Sequence, residues 1–245
     1  MTNGRRHGHK SRIMRPSPSA TAERFPALLF DLDGTLIDSA PDLAAALNRV
    51  LASAGREMLP FIQVRGMIGN GARKLVERGY RASGGPPEDL DAETERFLSI
   101  YGRALACHTR VYDGVAETLA MLAARGHRLG IVTNKPFAPT LGVLQALDLS
   151  RHFAPEHVVG GDSVATRKPD PEPLMALLDR MGHEAEAAIM IGDSANDIEA
   201  ARAAGVRSIA VSYGYCRGAP ADLGADRLVD RFGEVPAALA DLLAR

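Results

Sequence analysis

The chain contains no tryptophan and only two cysteines, and aromatic residues make up 5% of it. Cys107 and Cys216 lie far apart and form no CxxC pair. This argues against a disulfide framework and a cysteine-based zinc site, and it suits a reducing cytoplasm. No apolar run approaches the roughly 18 residues that suggest a membrane-spanning helix, so no membrane partner is expected. An excess of either charge is also missing. Lysine and arginine number 29 against 30 acidic residues, a net charge of −1 over 245 residues. That length suits one large domain or two smaller ones.

The near-neutral total hides an asymmetry. Residues 1–24 carry Arg5, Arg6, Lys10, Arg12, Arg15 and Arg24 against Glu23 alone. Setting these aside leaves 23 basic and 29 acidic residues, a net charge of −6, in the body of the chain. The tail is rich in Ser, Pro, Gly and His with almost nothing apolar, the composition of a disordered segment. No apolar stretch follows Arg5-Arg6, so a signal peptide is not expected. A passive extension or a start placed ahead of Met14 is favoured over a nucleic-acid arm. The acidic body lacks the electrostatic footprint of nucleic-acid binding.

What is present is an apolar run, Pro26–Phe30, followed at once by Asp31-Leu32-Asp33-Gly34-Thr35. The run reads as a buried strand. Were its pleat to continue, Asp31 and Asp33 would point the same way, about 6–7 Å apart. Two like charges that close need a cation or a shared proton. Ser39 or Asp38 then caps a helix with Pro41 in its first turn. Further helical segments are expected over Phe61–Met67, Gly71–Tyr80 and Pro87–Ala106, with no strand between Ser39 and His108. From Tyr112 onward strands alternate with helices. Strands are expected at Arg128–Thr133, His157–Gly160, Ala187–Ile191, Ser208–Val211 and Arg227–Val229. This pattern predicts an α/β fold: a Rossmann-like parallel-sheet core over residues 25–38 and 112–245. A helical cap domain over residues 39–111 is inserted after the first strand, as a lid above the strand ends.

Polar residues mark the ends of the later strands. Thr133-Asn134 closes one and Asp193-Ser194 another, with Asp197 one turn into the next helix. Lys168 lies in the loop Arg167-Lys168-Pro169-Asp170-Pro171. Each has a bland reading on its own: a turn, a solvated loop charge, a helix cap, a first-turn acid. Their joint occurrence at strand and loop ends favours a shared crevice. Asp31, Asp33 and Asp193 are hard oxygen donors that suit Mg²⁺. Lys168, Thr133 and Asn134 add the positive charge and short donors of a phosphoryl clamp. Asp31 is then the candidate nucleophile and Asp33 the acid and base.

Together these motifs resemble those of the haloacid dehalogenase-like hydrolase superfamily across about residues 25–235. The resemblance implies a Mg²⁺-dependent phosphatase with a small phosphorylated substrate. It implies metal ligation by Asp31, the backbone carbonyl of Asp33, and Asp193. It also implies phosphate contacts from Thr133 and Lys168, and a supporting role for Asp197. The second aspartate, Asp33, disfavours a dehalogenase, and the context of Lys74 is unlike that of a phosphonate-cleaving Schiff-base lysine. Longer strings resemble the bacterial phosphoglycolate phosphatase branch. They are Ile68–Ala72, Val132–Pro136, Gly160–Asp162, Lys168–Pro171 and Tyr213–Tyr215. They imply 2-phosphoglycolate as substrate, with another small phosphate ester or a sugar phosphomutase as alternatives. In the cap, Gly69-Asn70-Gly71 reads as a loop dipping into the crevice. Arg73 or Lys74 is a candidate for a substrate carboxylate, although each alone reads slightly better as a solvated helix face. Monomer and homodimer stay open.

Overall fold

The computed structural model describes residues 25–244. The basic tail expected over residues 1–24 lies outside them. The first strand, β1 (Ala27–Phe30), is buried along its whole length. A four-residue apolar run covered on both faces is what a central parallel strand requires. It pairs in parallel with β4 (Leu129–Val132) on one side and β6 (Ala188–Gly192) on the other. Strands β5 (Val158–Val159), β7 (Arg207–Val211) and β8 (Arg227–Val229) complete a six-stranded sheet of order β5-β4-β1-β6-β7-β8. All its pairs are parallel.

Alternate side chains divide between two layers. Leu28 and Phe30 join a cluster with α5 (Val115–Ala124), α6 (Phe137–Ala146) and α9 (Val235–Leu243). Ala27 and Leu29 join α7 (Glu172–Met181) and α8 (Ala195–Ala204) on the opposite face. The chain runs outward from β1 through β4 to β5, then crosses back to β6. The strand order therefore reverses beside β1, where open α/β sheets bind ligands at the carboxyl edge. Register sets that edge: Phe30 lies opposite both Ile131 and Ile191. Asp31, Thr133 and Asp193 all follow at the same end.

Four helices form the lid: α1 (Ala40–Ser53), α2 (Phe61–Arg65), α3 (Ala72–Ala82) and α4 (Leu90–Gly102). They share their own apolar cluster, which includes Leu47, Val50, Val76, Phe97 and Tyr101. Helix α4 is shorter than the expected Pro87–Ala106. The Asp89 carboxylate caps it by accepting from the backbone of Asp91 and Ala92, and it ends at Gly102.

The neck holds a feature that the sequence reading missed. β2 (Ile37–Asp38) pairs antiparallel with β3 (Arg110–Val111), tying the outgoing chain to the returning one. Two residues per strand are too few to show any alternation. Below it the buried Asp42 carboxylate accepts from the backbone N–H of His108 and Thr109 and from the Thr109 hydroxyl. The expected cap of α1 is also revised. Ser39 makes no capping bond, because its hydroxyl donates to Asp33 at 2.6 Å. Instead the Tyr215 hydroxyl accepts from the Ser39 and Ala40 N–H groups at 2.8 and 3.0 Å. Asp38 adds a weaker contact to Ala40 at 3.3 Å.

Asp42→Ala would strand the two buried donors of Thr109 and the half-buried N–H of His108. It should lower unfolding stability by on the order of 3 kcal/mol. Denaturant titration checks this, and a loss under about 1 kcal/mol would show that the neck does not depend on Asp42.

Candidate active site

The sheet register brings Asp31, Thr133 and Asp193 to one edge, and the loop before α7 adds Lys168. The Lys168 ammonium donates to the Val132 carbonyl at 2.6 Å and to Asp197 Oδ1 at 2.5 Å. It lies 3.0 Å from Asp31 Oδ1. All three of its hydrogens thus have protein partners, and its side chain is 2% exposed. In this structure Lys168 orients Asp31 and Asp197. Asp197 in turn accepts from the backbone N–H and hydroxyl of Ser194, closing a capping box at the start of α8.

Asp193 is buried between turns that leave no spare volume. Thr35 donates to its Oδ1 at 3.2 Å, and the Tyr215 N–H donates to Oδ2 at 2.5 Å. A Cβ at Gly34 or at Gly214 would collide with the Asp193 carboxylate. Gly34 also has a φ of +96°, which disfavours any side chain there.

Oxygens of Asp31, Asp193 and Asp197 all lie within 4.8 Å of one another. Three carboxylates face one ammonium here, an excess of negative charge in a buried place. Burial first, and then the neighbouring Asp197, push Asp31 up to about 6, against the pull of Lys168. Burial pushes Asp193 well above the ordinary carboxylate range, and Asp197 and Asp31 add to it. This donor set fits a hard divalent cation, which would offset the surplus charge.

Asp33 is placed differently. Its carboxylate accepts from Ser39 and lies 3.2 Å, at both oxygens, from the ammonium of Lys135. Lys135 also donates to the Tyr101 hydroxyl at 2.7 Å, and only 4% of its side chain is exposed. Of the partners of Asp33, Ser39 was read from the sequence only as a helix cap, and Lys135 and Tyr101 were given no role in the site. The signal available was the apolar helical stripe containing Tyr101 and the string Thr133-Asn134-Lys135-Pro136.

The cap residues separate clearly. The Gly69 carbonyl accepts from Asn134 and Asn196 at 3.0 and 3.1 Å, so the loop does dip into the crevice. Asn70 donates to Asn196 and accepts from Arg78. Gly71 packs against the Asn134 carbonyl, where a Cβ would be crowded at 3.0 Å. Asn134, expected as a phosphate donor, spends its amide on the carbonyls of Gly69 and Lys168. Arg73 pairs with Asp91 at 2.9 Å on the exposed face of α3, and Lys74 pairs with Glu77. Neither reaches the crevice, because α3 turns Leu75 and Val76 inward instead.

The family model for haloacid dehalogenase-like hydrolases matches residues 28–211. The chain belongs to that family, and its fold and site define a phosphatase of the haloacid dehalogenase type. Among individual relatives, it is 45% identical over 215 residues to the phosphoglycolate phosphatase of Rhodospirillum rubrum, covering 85% of this chain and 88% of that one. It is 42% identical to the enzyme of that name from Caulobacter vibrioides, covering 88% and 91%. The structure of a predicted phosphoglycolate phosphatase from Haemophilus somnus matches with a TM-score of 0.83 and 32% identity, covering 90% and 99%. Among the described residues no helix is long and apolar enough to cross a membrane.

The carboxylate cluster has a measurable consequence. A folded-state pKa near 6 means that native Asp31 holds a proton which the unfolded chain releases near pH 4. The metal-free protein should therefore lose stability as pH rises through that window. Added Mg²⁺ should raise the melting temperature more at pH 7.5 than at pH 5. Asp193→Asn should melt no lower than wild type without metal at pH 7.5, and should lose the Mg²⁺ response. Equal shifts at both pH values, or a response kept by the variant, would remove the cation from this cluster.

Proposed function

We propose that the protein hydrolyses 2-phosphoglycolate to glycolate and phosphate, with Mg²⁺ as cofactor and an aspartyl-phosphate on Asp31 as intermediate. The observation carrying this is the division of labour in the Asp31–Asp33 pair. Asp31 sits at the sheet edge with Oδ1 held by Lys168. Asp33, two residues on, belongs to a second charge pair that faces the cap. The names of the relatives from R. rubrum and C. vibrioides support the choice of substrate.

Asp31, Asp193 and the backbone carbonyl of Asp33 would hold the metal. When bound, Mg²⁺ supplies the positive charge that lets a phosphate dianion approach two carboxylates. A carboxylate oxygen of Asp31 forms a bond to phosphorus while the bond from phosphorus to the glycolate oxygen breaks. Asp33 gives that oxygen its proton, and glycolate leaves. Asp33 then takes a proton from water as the water oxygen attacks phosphorus. The phosphorus–Asp31 bond breaks, releasing phosphate and restoring the carboxylate. Thr133, buried at the same edge, faces this crevice and is positioned to donate to the phosphate. The cap keeps bulk water from the intermediate. The free thiols Cys107 and Cys216 support a cytoplasmic setting.

Asp31→Asn should lower phosphate release by more than about a thousandfold, with an unchanged circular dichroism spectrum. Near-normal activity would refute the nucleophile. Wild-type phosphate release across a panel of esters should be highest in kcat/KM for 2-phosphoglycolate. Preference for a sugar phosphate would refute the substrate and leave the chemistry standing, and transfer between sugar hydroxyls without free phosphate would indicate a mutase.

A further inference from the structure

The side of the crevice that faces the cap is chemically uneven. Its walls include Leu43, Ile68, Leu75, Phe97 and Leu98, which offer a leaving group nothing to hydrogen-bond. Against that apolar wall stand one ammonium, Lys135, and one phenol, Tyr101. No other lysine or arginine among the described residues lines this part of the crevice. We propose that Lys135 and Tyr101 read a carboxylate on the substrate, making them the specificity-determining pair for phosphoesters of short hydroxy acids. This rests on the reading of the site as a phosphoglycolate-type phosphatase and names what recognises the non-phosphate end.

The geometry supports it at three points. First, the ammonium is attached to the residue that must meet the leaving oxygen. Lys135 Nζ lies 3.2 Å from both oxygens of Asp33. In a phosphorylated hydroxy acid the carboxylate carbon is two bonds from that oxygen. A group that touches Asp33 is therefore within reach of the carboxylate when Asp33 touches the oxygen. Second, those two contacts are long for a charge-assisted hydrogen bond, which is ordinarily about 2.7–2.9 Å. Asp33 has a closer partner in the Ser39 hydroxyl at 2.6 Å. One ammonium hydrogen can therefore turn to an arriving anion while Asp33 stays satisfied. Third, the Tyr101 hydroxyl accepts from Lys135 at 2.7 Å, and its own proton has no acceptor among the described residues. Tyr101 is 2% exposed and stacks on Phe97. A buried hydroxyl with a proton to give lacks an acceptor that a carboxylate oxygen would supply. A neutral polyol in the same place would leave its own hydroxyls unpaired against the apolar wall.

The test compares 2-phosphoglycolate with 2-hydroxyethyl phosphate, in which a hydroxymethyl group replaces the carboxylate. Both release poor leaving groups, so both need the Asp33 proton equally. Wild type should prefer 2-phosphoglycolate. Lys135→Met should cut kcat/KM for 2-phosphoglycolate at least about 100-fold, mainly through KM, because among the described residues it removes the one cation lining this part of the crevice. It should cost kcat/KM for 2-hydroxyethyl phosphate at least about tenfold less than for 2-phosphoglycolate, the shared part being the lost ion pair with Asp33. Tyr101→Phe keeps the ring and its stacking. It should raise KM for 2-phosphoglycolate about tenfold and leave the neutral ester unchanged, which tests the pair even where Lys135→Met does not fold. Equal losses on both esters would mean that Lys135 merely holds Asp33 in place, and would overturn the proposal. So would a wild-type preference that both variants keep. A wild type without preference for 2-phosphoglycolate would instead overturn the substrate reading beneath it.

Discussion

Negative charge in excess of its internal partner, confined at the buried edge of a parallel sheet, is the constraint on which the rest of this molecule depends. Asp31, Asp193 and Asp197 converge there around the single ammonium of Lys168. Such a cluster is costly to bury. It persists because each acid is held by something else: Lys168 for Asp31, Lys168 and Ser194 for Asp197, Thr35 and the Tyr215 backbone for Asp193. Gly34 and Gly214 allow the chain to close over Asp193 without a Cβ in the way. The same confinement raises Asp31 and Asp193 above the usual carboxylate range and leaves the cluster short of positive charge.

A second charge pair, one residue layer nearer the cap, gives the pocket its asymmetry. Lys135 comes from the core, Tyr101 from cap helix α4, and Asp33 from the loop after β1. Their contacts cross the boundary between the apolar cluster of the lid and those of the sheet. Gly69 is fastened by Asn134 and Asn196, and Arg65 donates to the Gly214 carbonyl at 2.6 Å. The lid is thus held to the sheet edge by bonds to backbone carbonyls, by the Asn70–Asn196 amide pair and by one ammonium. Tyr215 belongs to both halves: its backbone serves Asp193 and its hydroxyl serves the start of α1.

Much of this was legible before any coordinates. Runs such as Ala27–Phe30 and Ala188–Ile191 are apolar on both faces, and that pattern has few readings besides a central parallel strand. Their order and the acids that follow them implied the sheet and its active edge. The failures share one cause. β2 and β3 are two residues each, and their pairing joins positions over seventy apart. Ser39 has the composition of a helix cap but bonds to Asp33. Arg73 neighbours the correct loop but faces outward to Asp91. Asn134 sits at a strand end but serves the cap loop. In each case the residue's type and position along the chain were compatible with two partners, and only packing selected between them.

What the sequence by itself determined was the set of chemical groups and their arrival at one edge. Strand periodicity and the turn residues that follow are local properties, and they are written in consecutive residues. Tertiary structure alone decided which donors remain available. Lys168 carries a charge wherever the loop lies, but its three hydrogens are consumed only because Val132, Asp197 and Asp31 surround it. Lys135 is an unremarkable residue in its string until α4 brings Tyr101 to it across the crevice. Hydrogen-bond satisfaction depends on every neighbour at once, whatever its distance in sequence, and so it emerges only when the chain has folded.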